Sequence, residues 1–168
     1  MKKSFSSQSG VGLVEVLVAL LLLSIGVLGY SSLQLRANSA AVEANDRTVA
    51  INIARDLAER MRVNRTAFDI YKSAINSKAQ TNSCYSNQPT GYQPSCNETQ
   101  MARFDAFEIH QKAASYGHTV KVDVCKGSSL NCIYVAWGKT DISSNIDTCV
   151  EKSGAYIPNA QCLVLEAY

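Results

Sequence analysis

The stretch that decides the fold is QSGVGLVEVLVALLLLSIGVLG, residues 8–29. It is almost wholly apolar, and from Val11 to Leu35 the only charged residue is Glu15. An apolar run of about 20 residues is long enough to cross a bilayer as a helix. A carboxylate at that depth costs roughly 2.5–3.5 kcal/mol. The sequence therefore predicts a membrane-spanning helix, and the cost of its one carboxylate indicates that Glu15 has a functional role.

The residues around this run indicate a helix much longer than a secretory signal. Lys2 and Lys3 precede it, as in a signal peptide, but no A-x-A-like cleavage site follows and the apolar run is too long. Further apolar residues in 36–65 recur at spacings of seven and four, which is typical of one helical face. No proline occurs before Pro89, so residues 11–65 are predicted to form one helix. The recurring residues are Val42, Val49, Ile53, Leu57 and Met61.

Residues 66–117 predict shorter helices and a loop. Residues 66–78 can prolong the first helix or form a second one, and residues 80–96 have the composition of a loop. Asn97 and Gln100 have the spacing of a capping box, and Gly117 can end the helix that they open. The residues predicted to bury the core face of this helix are Met101, Phe104, Phe107 or Ile109, and Ala114.

The C-terminal third predicts three strands. Two alternating segments flank a turn at residues 127–131, and a last strand covers 162–168 after a loop at 141–159. Together with the long helix, these strands predict an α+β fold with a small antiparallel sheet. The residues predicted to face inward are Val120, Val122 and Val124 on the first strand, and Ile133, Val135 and Trp137 on the second.

The cysteines predict a disulfide-closed domain in an oxidising compartment. There are six, all after residue 80, and an even count in an exported chain is typical of a disulfide framework. Six cysteines allow 15 connectivities, of which the simplest joins sequential pairs. No CxxC occurs, and only His110 and His118 could join the cysteines at a metal, so no metal or cofactor is expected. The sequential pairs are Cys84–Cys96, Cys125–Cys132 and Cys149–Cys162.

The charged and titratable residues offer no catalytic arrangement. Residues 66–168 hold eight Lys or Arg and nine Asp or Glu, so they lack the basic excess of a nucleic-acid-binding surface. His110 and His118 are both expected at the solvated surface, and no enzyme is predicted. The charged residues of 55–62 can recognise a partner or can pair along the helix, and both interpretations stay open. The pairs would be Asp56–Arg60 and Glu59–Arg62.

Gly10, Val11 and Glu15, followed by an unbroken apolar helix, resemble the start of a type IV prepilin. The resemblance implies that a membrane peptidase cuts between Gly10 and Val11 and methylates the new amine of Val11. It also implies that Glu15 pairs with the N-terminal amine of a neighbouring subunit during assembly. Val11 departs from the usual Phe or Met at this position, and the helix lacks the prolines of major pilins.

Three segments are similar to the PilV-type minor pilins: GLVEVLVALLLLSIGVLG (12–29), ARDLAERMRVNR (54–65) and YVAWG (134–138). The similarity implies a pilin fold and a subunit that primes pilus assembly. The implied partners are the prepilin peptidase, other minor pilins, the major pilin and a tip adhesin, with roles in twitching motility, adhesion and DNA uptake. The alternatives are a minor pseudopilin of type II secretion, a DNA-binding minor pilin and a membrane-anchored enzyme.

The resemblance also implies an organisation into four parts. Residues 1–10 are a cleaved leader, 11–35 the membrane and polymerisation half of the helix, 36–65 its amphipathic half, and 66–168 a globular head. Lys2 and Lys3 place the N-terminus in the cytoplasm and so the head in the periplasm. The expected location is the inner membrane of a Gram-negative bacterium, and the pilus fibre after assembly.

Overall fold

The computed structural model describes residues 12–78, 84–88, 91–94 and 96–167. Helix α1 covers Leu13–Val63, 51 residues, within two residues of the predicted bounds at the described ends. At about 1.5 Å per residue its length is about 77 Å. The chain divides into two compact units, Met1–Glu43 and Ala44–Tyr168. Helix α1 continues through both units.

Two further helices belong to the second unit. After α1, Arg65–Ala67 form a short 3-10 turn and Phe68–Ser77 form helix α2. Of the two possibilities that the sequence left open here, the structure therefore has the separate second helix. Helix α3 covers Glu98–Ser115.

The predicted ends of α3 are present. The side chain of Asn97 accepts a hydrogen bond from the backbone of Gln100 at 2.9 Å, and the side chain of Gln100 accepts one from the backbone of Asn97 at 3.0 Å. At the other end, Gly117 has φ of +72°, which glycine adopts without strain. Gly117 N–H donates to the carbonyl of Ala114 and the next N–H donates to that of Ala113, the pattern of a Schellman motif.

The predicted core face of α3 is partly wrong. Ile109 is buried, but Met101, Phe104 and Phe107 are only half-buried and Ala114 is exposed. Most of the buried positions carry alanine, which lets the helix backbone approach its neighbours closely, so the larger side chains flank the contact instead of filling it. The buried alanines are Ala102, Ala106 and Ala113.

The prediction of a loop over residues 80–96 is wrong for residues 85–88 and 91–94, which are strands. Strands β1, Tyr85–Gln88, and β2, Gly91–Pro94, form an antiparallel hairpin with Tyr85 opposite Pro94. The sequences YSNQ and GYQP have no alternation of apolar and polar residues. Without that alternation, the period-two signal of a half-buried strand is absent.

The main sheet is a three-stranded antiparallel meander. Strands β3 (Thr119–Val124), β4 (Asn131–Ala136) and β5 (Cys162–Glu166) lie in that order. Val120 pairs with Val135 and Val122 with Ile133, and all four face the helices. Val124 was predicted to face inward, but it is 46% exposed because it lies at the end of β3, where the hairpin turn begins.

Two apolar clusters hold the second unit together. The larger fills the space between the helices and one face of the sheet, with Ile53 and Leu57 from α1, Tyr71 from α2 and Trp137 just after β4. The smaller lies on the other face of the sheet, under residues 138–160. The α+β pilin-like fold predicted from the sequence is confirmed. The smaller cluster contains Tyr134, Ala136, Ile142, Ile146, Val150 and four cysteines.

Candidate assembly site

The N-terminal part of α1 exposes apolar side chains on every face. From Leu13 to Leu35 its large apolar residues are about half to three quarters exposed, from 48% at Val16 to 76% at Leu13. Its most apolar window has a mean hydropathy of 2.4 and no buried residue, and α1 is long and apolar enough to cross a membrane. A helix that is apolar all round is stable only where lipid or other helices cover it. This part of α1 is therefore the surface that we expect lipid or the helices of other subunits to cover.

Glu15 lies in the first turn of α1, and its side chain is exposed. Its backbone N–H donates to the carbonyl of Gly12 at 2.9 Å. A carboxylate in the first turn is favoured by the helix dipole. No basic side chain in the described ranges, 12–78, 84–88, 91–94 and 96–167, forms an ion pair with it.

The processing residues Gly10 and Val11 lie outside the described residues. Cleavage between them and methylation of Val11 therefore stay predictions.

Two serines in the apolar part of α1 satisfy their hydroxyls within the helix. Ser24 Oγ donates to the carbonyl of Leu20 at 2.7 Å, and Ser31 Oγ donates to that of Val27 at 2.9 Å. A hydroxyl bonded to the carbonyl four residues earlier needs no water. These serines are therefore compatible with an apolar environment, and Glu15 differs from them in carrying a charge.

A charged network joins α1 to α2 and α3. Arg60 Nη1 lies 2.6 Å from Asp105 Oδ1, and Arg60 Nε lies 2.9 Å from Asp56 Oδ1. Lys112 Nζ lies 2.7 Å from the second oxygen of Asp56, and the hydroxyl of Tyr71 donates to the second oxygen of Asp105. Two charged residues of the 55–62 segment are thus used inside the head.

The network shifts the pKa values of its members. Burial alone would raise the pKa of the Asp56 carboxyl, but the hydrogen bonds from Arg60 and Lys112 outweigh it and hold that pKa below its usual value. Burial, and then the hydrogen bond to Asp105, raise the pKa of the Tyr71 hydroxyl. The predicted pair Glu59–Arg62 is longer, 3.5 Å, with both side chains more than 60% exposed.

All six cysteines are paired, and the pairs are the three sequential ones. Cys84–Cys96 closes the segment that contains β1 and β2, and Cys125–Cys132 spans the turn between β3 and β4. Cys149–Cys162 ties the long loop to β5. The disulfides therefore brace the parts of the chain that lie outside the helices.

The described part of the chain contains no group of three His, Cys, Asp or Glu side chains that could hold a metal. The two histidines take part in the packing of the head, and their predicted surface positions are wrong. His110 is half-buried, with Nε2 2.5 Å from the carbonyl of Ile75 in the last turn of α2, and burial lowers its pKa. His118 is only 4% exposed. Both rings bond to backbone carbonyls contributed by other elements, which a single sequence does not reveal.

Comparison with known proteins gives two matches to family models. The model of the prokaryotic N-terminal methylation motif matches residues 5–31. The model described as type IV pilin Tt1218 matches residues 32–107. The two matches adjoin and together extend from residue 5 into α3. No match was found among the curated proteins or among the solved structures.

The long apolar helix, the disulfide-braced α+β fold and the methylation motif fit a membrane-anchored pilin. The two matches support a type IV prepilin, the class that the first residues of the chain resemble. Its motif implies processing by the prepilin peptidase and assembly with other pilins. The pilin family consists of structural subunits.

Proposed function

We propose that this prepilin is a PilV-type minor pilin that primes assembly of the type IV pilus. Cleavage between Gly10 and Val11 gives a subunit anchored by residues 11–35, with its head in the periplasm of a Gram-negative bacterium. The subunit then leaves the membrane for the pilus together with other minor pilins. The observation that supports this most directly is the apolar part of α1, exposed on all faces with Glu15 as its only charge.

Glu15 would align neighbouring subunits during assembly by pairing with a neighbour's N-terminal amine. It lies four residues from Val11, about 6 Å along a helix, so one subunit's carboxylate and its own amine are about one turn apart. A neighbour's amine can reach the carboxylate only when the two helices have a defined axial offset. In a medium of low dielectric constant an unpaired charge is costly, and only the direct contact between the carboxylate and the amine offsets that cost fully, which favours the one register that forms the contact.

The minor pilin assignment is supported by where the PilV-like segments lie. Residues 54–65 supply Leu57 and Met61 to the main core and Arg60 to the charged network. Residues 134–138 supply Val135 and Trp137 to the same core. Two of the three segments that carry the resemblance thus pack into one cluster, whereas the first, residues 12–29, is exposed.

A deletion strain tests the assignment against its alternatives. Loss of surface pili and twitching with normal protein secretion is the expected result. Loss of type II secretion with normal pili would identify a pseudopilin instead. Salt-dependent binding of the purified protein to duplex DNA would favour a DNA-binding minor pilin, and we expect none.

The role of Glu15 is tested in the same strain with Glu15→Ala and Glu15→Gln. Both variants should be exported, cleaved and disulfide-bonded, because Glu15 lies in the first compact unit and all six cysteines lie in the second, Ala44–Tyr168. Both should be missing from sheared pili, since neither can neutralise a neighbour's amine. The amount in the membrane fraction is the control. Incorporation at the wild-type level would mean that Glu15 is only an interfacial residue that reaches water.

A further inference from the structure

The two outer edges of the main sheet are covered to different degrees. At the edge of β3, the side chain of Asn76 donates to the carbonyl of Val122 at 2.8 Å and accepts from its N–H at 3.0 Å. At the edge of β5, the described residues provide a single hydrogen bond, from Val164 N–H to the hydroxyl of Tyr156 at 3.1 Å. An edge strand with unpaired backbone groups is a template for pairing with another strand.

The register of β5 determines which of its backbone groups point away from the sheet. Trp137 N–H donates to the carbonyl of Gln161, just before β5. Ala167 N–H, just after β5, donates to the carbonyl of Asn131. Hydrogen-bonded and outward-facing residues alternate along an antiparallel strand, so the odd-numbered residues bond to β4 and the even-numbered ones face outward. The outward-facing residues of β5 are Cys162, Val164 and Glu166.

Tyr156 covers this edge only through its hydroxyl. Its backbone is held by a bridge to Val150, but the residue is 51% exposed, so the ring can rotate away without uncovering a core. A phenolic hydroxyl satisfies one backbone N–H, whereas an added strand supplies both donors and acceptors along the edge. A second strand therefore forms more hydrogen bonds with β5 than it displaces.

We propose that the outer edge of β5 pairs with β5 of a second copy of this chain, in an antiparallel arrangement centred on Val164. In this register Val164 lies opposite Val164 of the second copy, and Leu163 lies opposite its Leu165. Cys162 lies opposite its Glu166. The outward N–H and carbonyl groups of each strand then meet complementary groups, because their pattern is symmetrical about Val164.

Cavities on both sides of β5 fit the side chains of such a partner. A larger cavity of about 550 Å³ is lined in part by Trp137 and Leu163, and a smaller one of about 330 Å³ in part by Val150 and Val164. Leu163 and Val164 point to opposite faces of the sheet, since side chains alternate along a strand. In the pair, Leu165 of the second copy lies beside the larger cavity and its Val164 beside the smaller one.

Charge complementarity favours β5 itself as the added strand. Arg47 lines the larger cavity together with Cys162, and Glu166 is exposed at the end of β5. Because Glu166 of the second copy lies opposite Cys162, its carboxylate comes close to Arg47. The two-fold symmetry of the pair forms this contact twice, and opposite charges on neighbouring strands stabilise their pairing.

Sedimentation of the full-length protein in detergent, at increasing protein concentration, tests the pairing. A pair of five-residue strands is a small interface, so we expect a weak dimer. Val164→Pro removes only an outward N–H, so two hydrogen bonds per dimer are lost and dissociation should become about twentyfold easier. Val164→Thr keeps the N–H and should dimerise like the wild type. Tyr156→Phe removes the competing acceptor and should tighten the dimer about fivefold.

Two outcomes of sedimentation overturn the proposal. The first is a wild-type protein that stays monomeric at every concentration. The second is a dimer that is equally strong in Val164→Pro, because such a dimer forms through another surface, such as the apolar part of α1.

Hydrogen exchange of wild-type amides locates the contact and decides the question if Val164→Pro does not fold. As the protein dimerises, exchange at Cys162 and Glu166 should slow, whereas Leu163 and Leu165 already bond to β4 and should not change. Unchanged exchange at Cys162 and Glu166 overturns the proposal, as does protection that appears only when a different pilin is added. The pairing involves the head and not Glu15, so its failure would leave the proposed function unaffected.

Discussion

Replacing Asp105 with asparagine tests whether the charged network holds α3 against α1. Asp105 is 8% exposed, and it accepts hydrogen bonds from Arg60 and from Tyr71. Asparagine keeps the size of the side chain but removes its charge. Arg60 would then keep only Asp56, at 2.9 Å.

The size of the effect follows from the burial of the two partners. Hydrogen bonds to charged groups contribute about 1.5–3 kcal/mol, and breaking a fully buried ion pair costs about 3–5 kcal/mol. The Arg60 side chain is 33% exposed, so water replaces part of what it loses. We expect Asp105→Asn to lower the free energy of unfolding by about 2 kcal/mol.

Urea unfolding of the full-length protein in detergent, followed by Trp137 fluorescence, measures this loss. Trp137 is 3% exposed and belongs to the same core as Met61 and Ile109. The matched control is Glu59→Gln, which breaks a surface pair on the same helix and should cost less than about 0.5 kcal/mol. If Asp105→Asn costs no more than Glu59→Gln, apolar packing alone fixes α3.

Three further predictions concern pH, the disulfides and processing. Because the folded-state pKa of Asp56 is lowered, its ionised form stabilises the head at neutral pH, and this contribution should disappear as the pH falls below about 4; Asp56→Asn should remove that part of the pH dependence of unfolding. A thiol reagent should find no free cysteine in unreduced protein, and the double variant Cys149→Ser, Cys162→Ser should lose about 3 kcal/mol in urea unfolding; two or more free thiols in the wild type would contradict the pairing. Gly10→Asp should leave a precursor with the mass of the uncleaved chain, whereas N-terminal sequencing of the wild-type protein should begin at Val11. A wild-type protein that still begins at Met1 in a strain with active peptidase would contradict the proposed cleavage.

The sequence predicts α1 and the main sheet well because their patterns are strong. Apolar residues spaced by seven and four over 36–65 mark one face of a helix, and Ile53, Leu57 and Met61 are all buried, whereas Val42, at the start of the predicted face, is 54% exposed. Alternating valines likewise place Val120 and Val122 in the core. In both cases the side chains that show the period are the ones that supply the packing energy.

The sequence fails where a contact depends on distant partners. Asn76, in α2, donates to the carbonyl of Val122 at 2.8 Å and accepts from its N–H at 3.0 Å, which covers the outer edge of β3. Nothing near Asn76 in the sequence indicates this, and the same holds for His118 and the Asp46 carbonyl that its ring contacts. The core face of α3 fails for a different reason: large apolar residues were expected inside, whereas close helix packing selects alanine.

For the site itself, the sequence identifies Glu15 but does not identify the charged network in the second half of α1. Glu15 is identifiable because it is the only charge in an apolar run. The network around Arg60 is not identifiable, since Tyr71 and Asp105 lie 11 and 45 residues away from it.

On the proposed role, the isolated charge of Glu15 has an energetic explanation that the apolar residues around it cannot provide. Lipid chains are about as apolar as leucine side chains, so moving the helix from the bilayer into a bundle of helices gains little hydrophobic free energy. The many exposed leucines of residues 13–35 therefore keep the subunit out of water without favouring the pilus over the membrane. An unpaired carboxylate differs, because it costs roughly 2.5–3.5 kcal/mol in the bilayer and that cost is relieved when a neighbour's amine pairs with it. The residue that is least favourable in the membrane is thus the one that can favour departure from it, and only in the register that forms the pair.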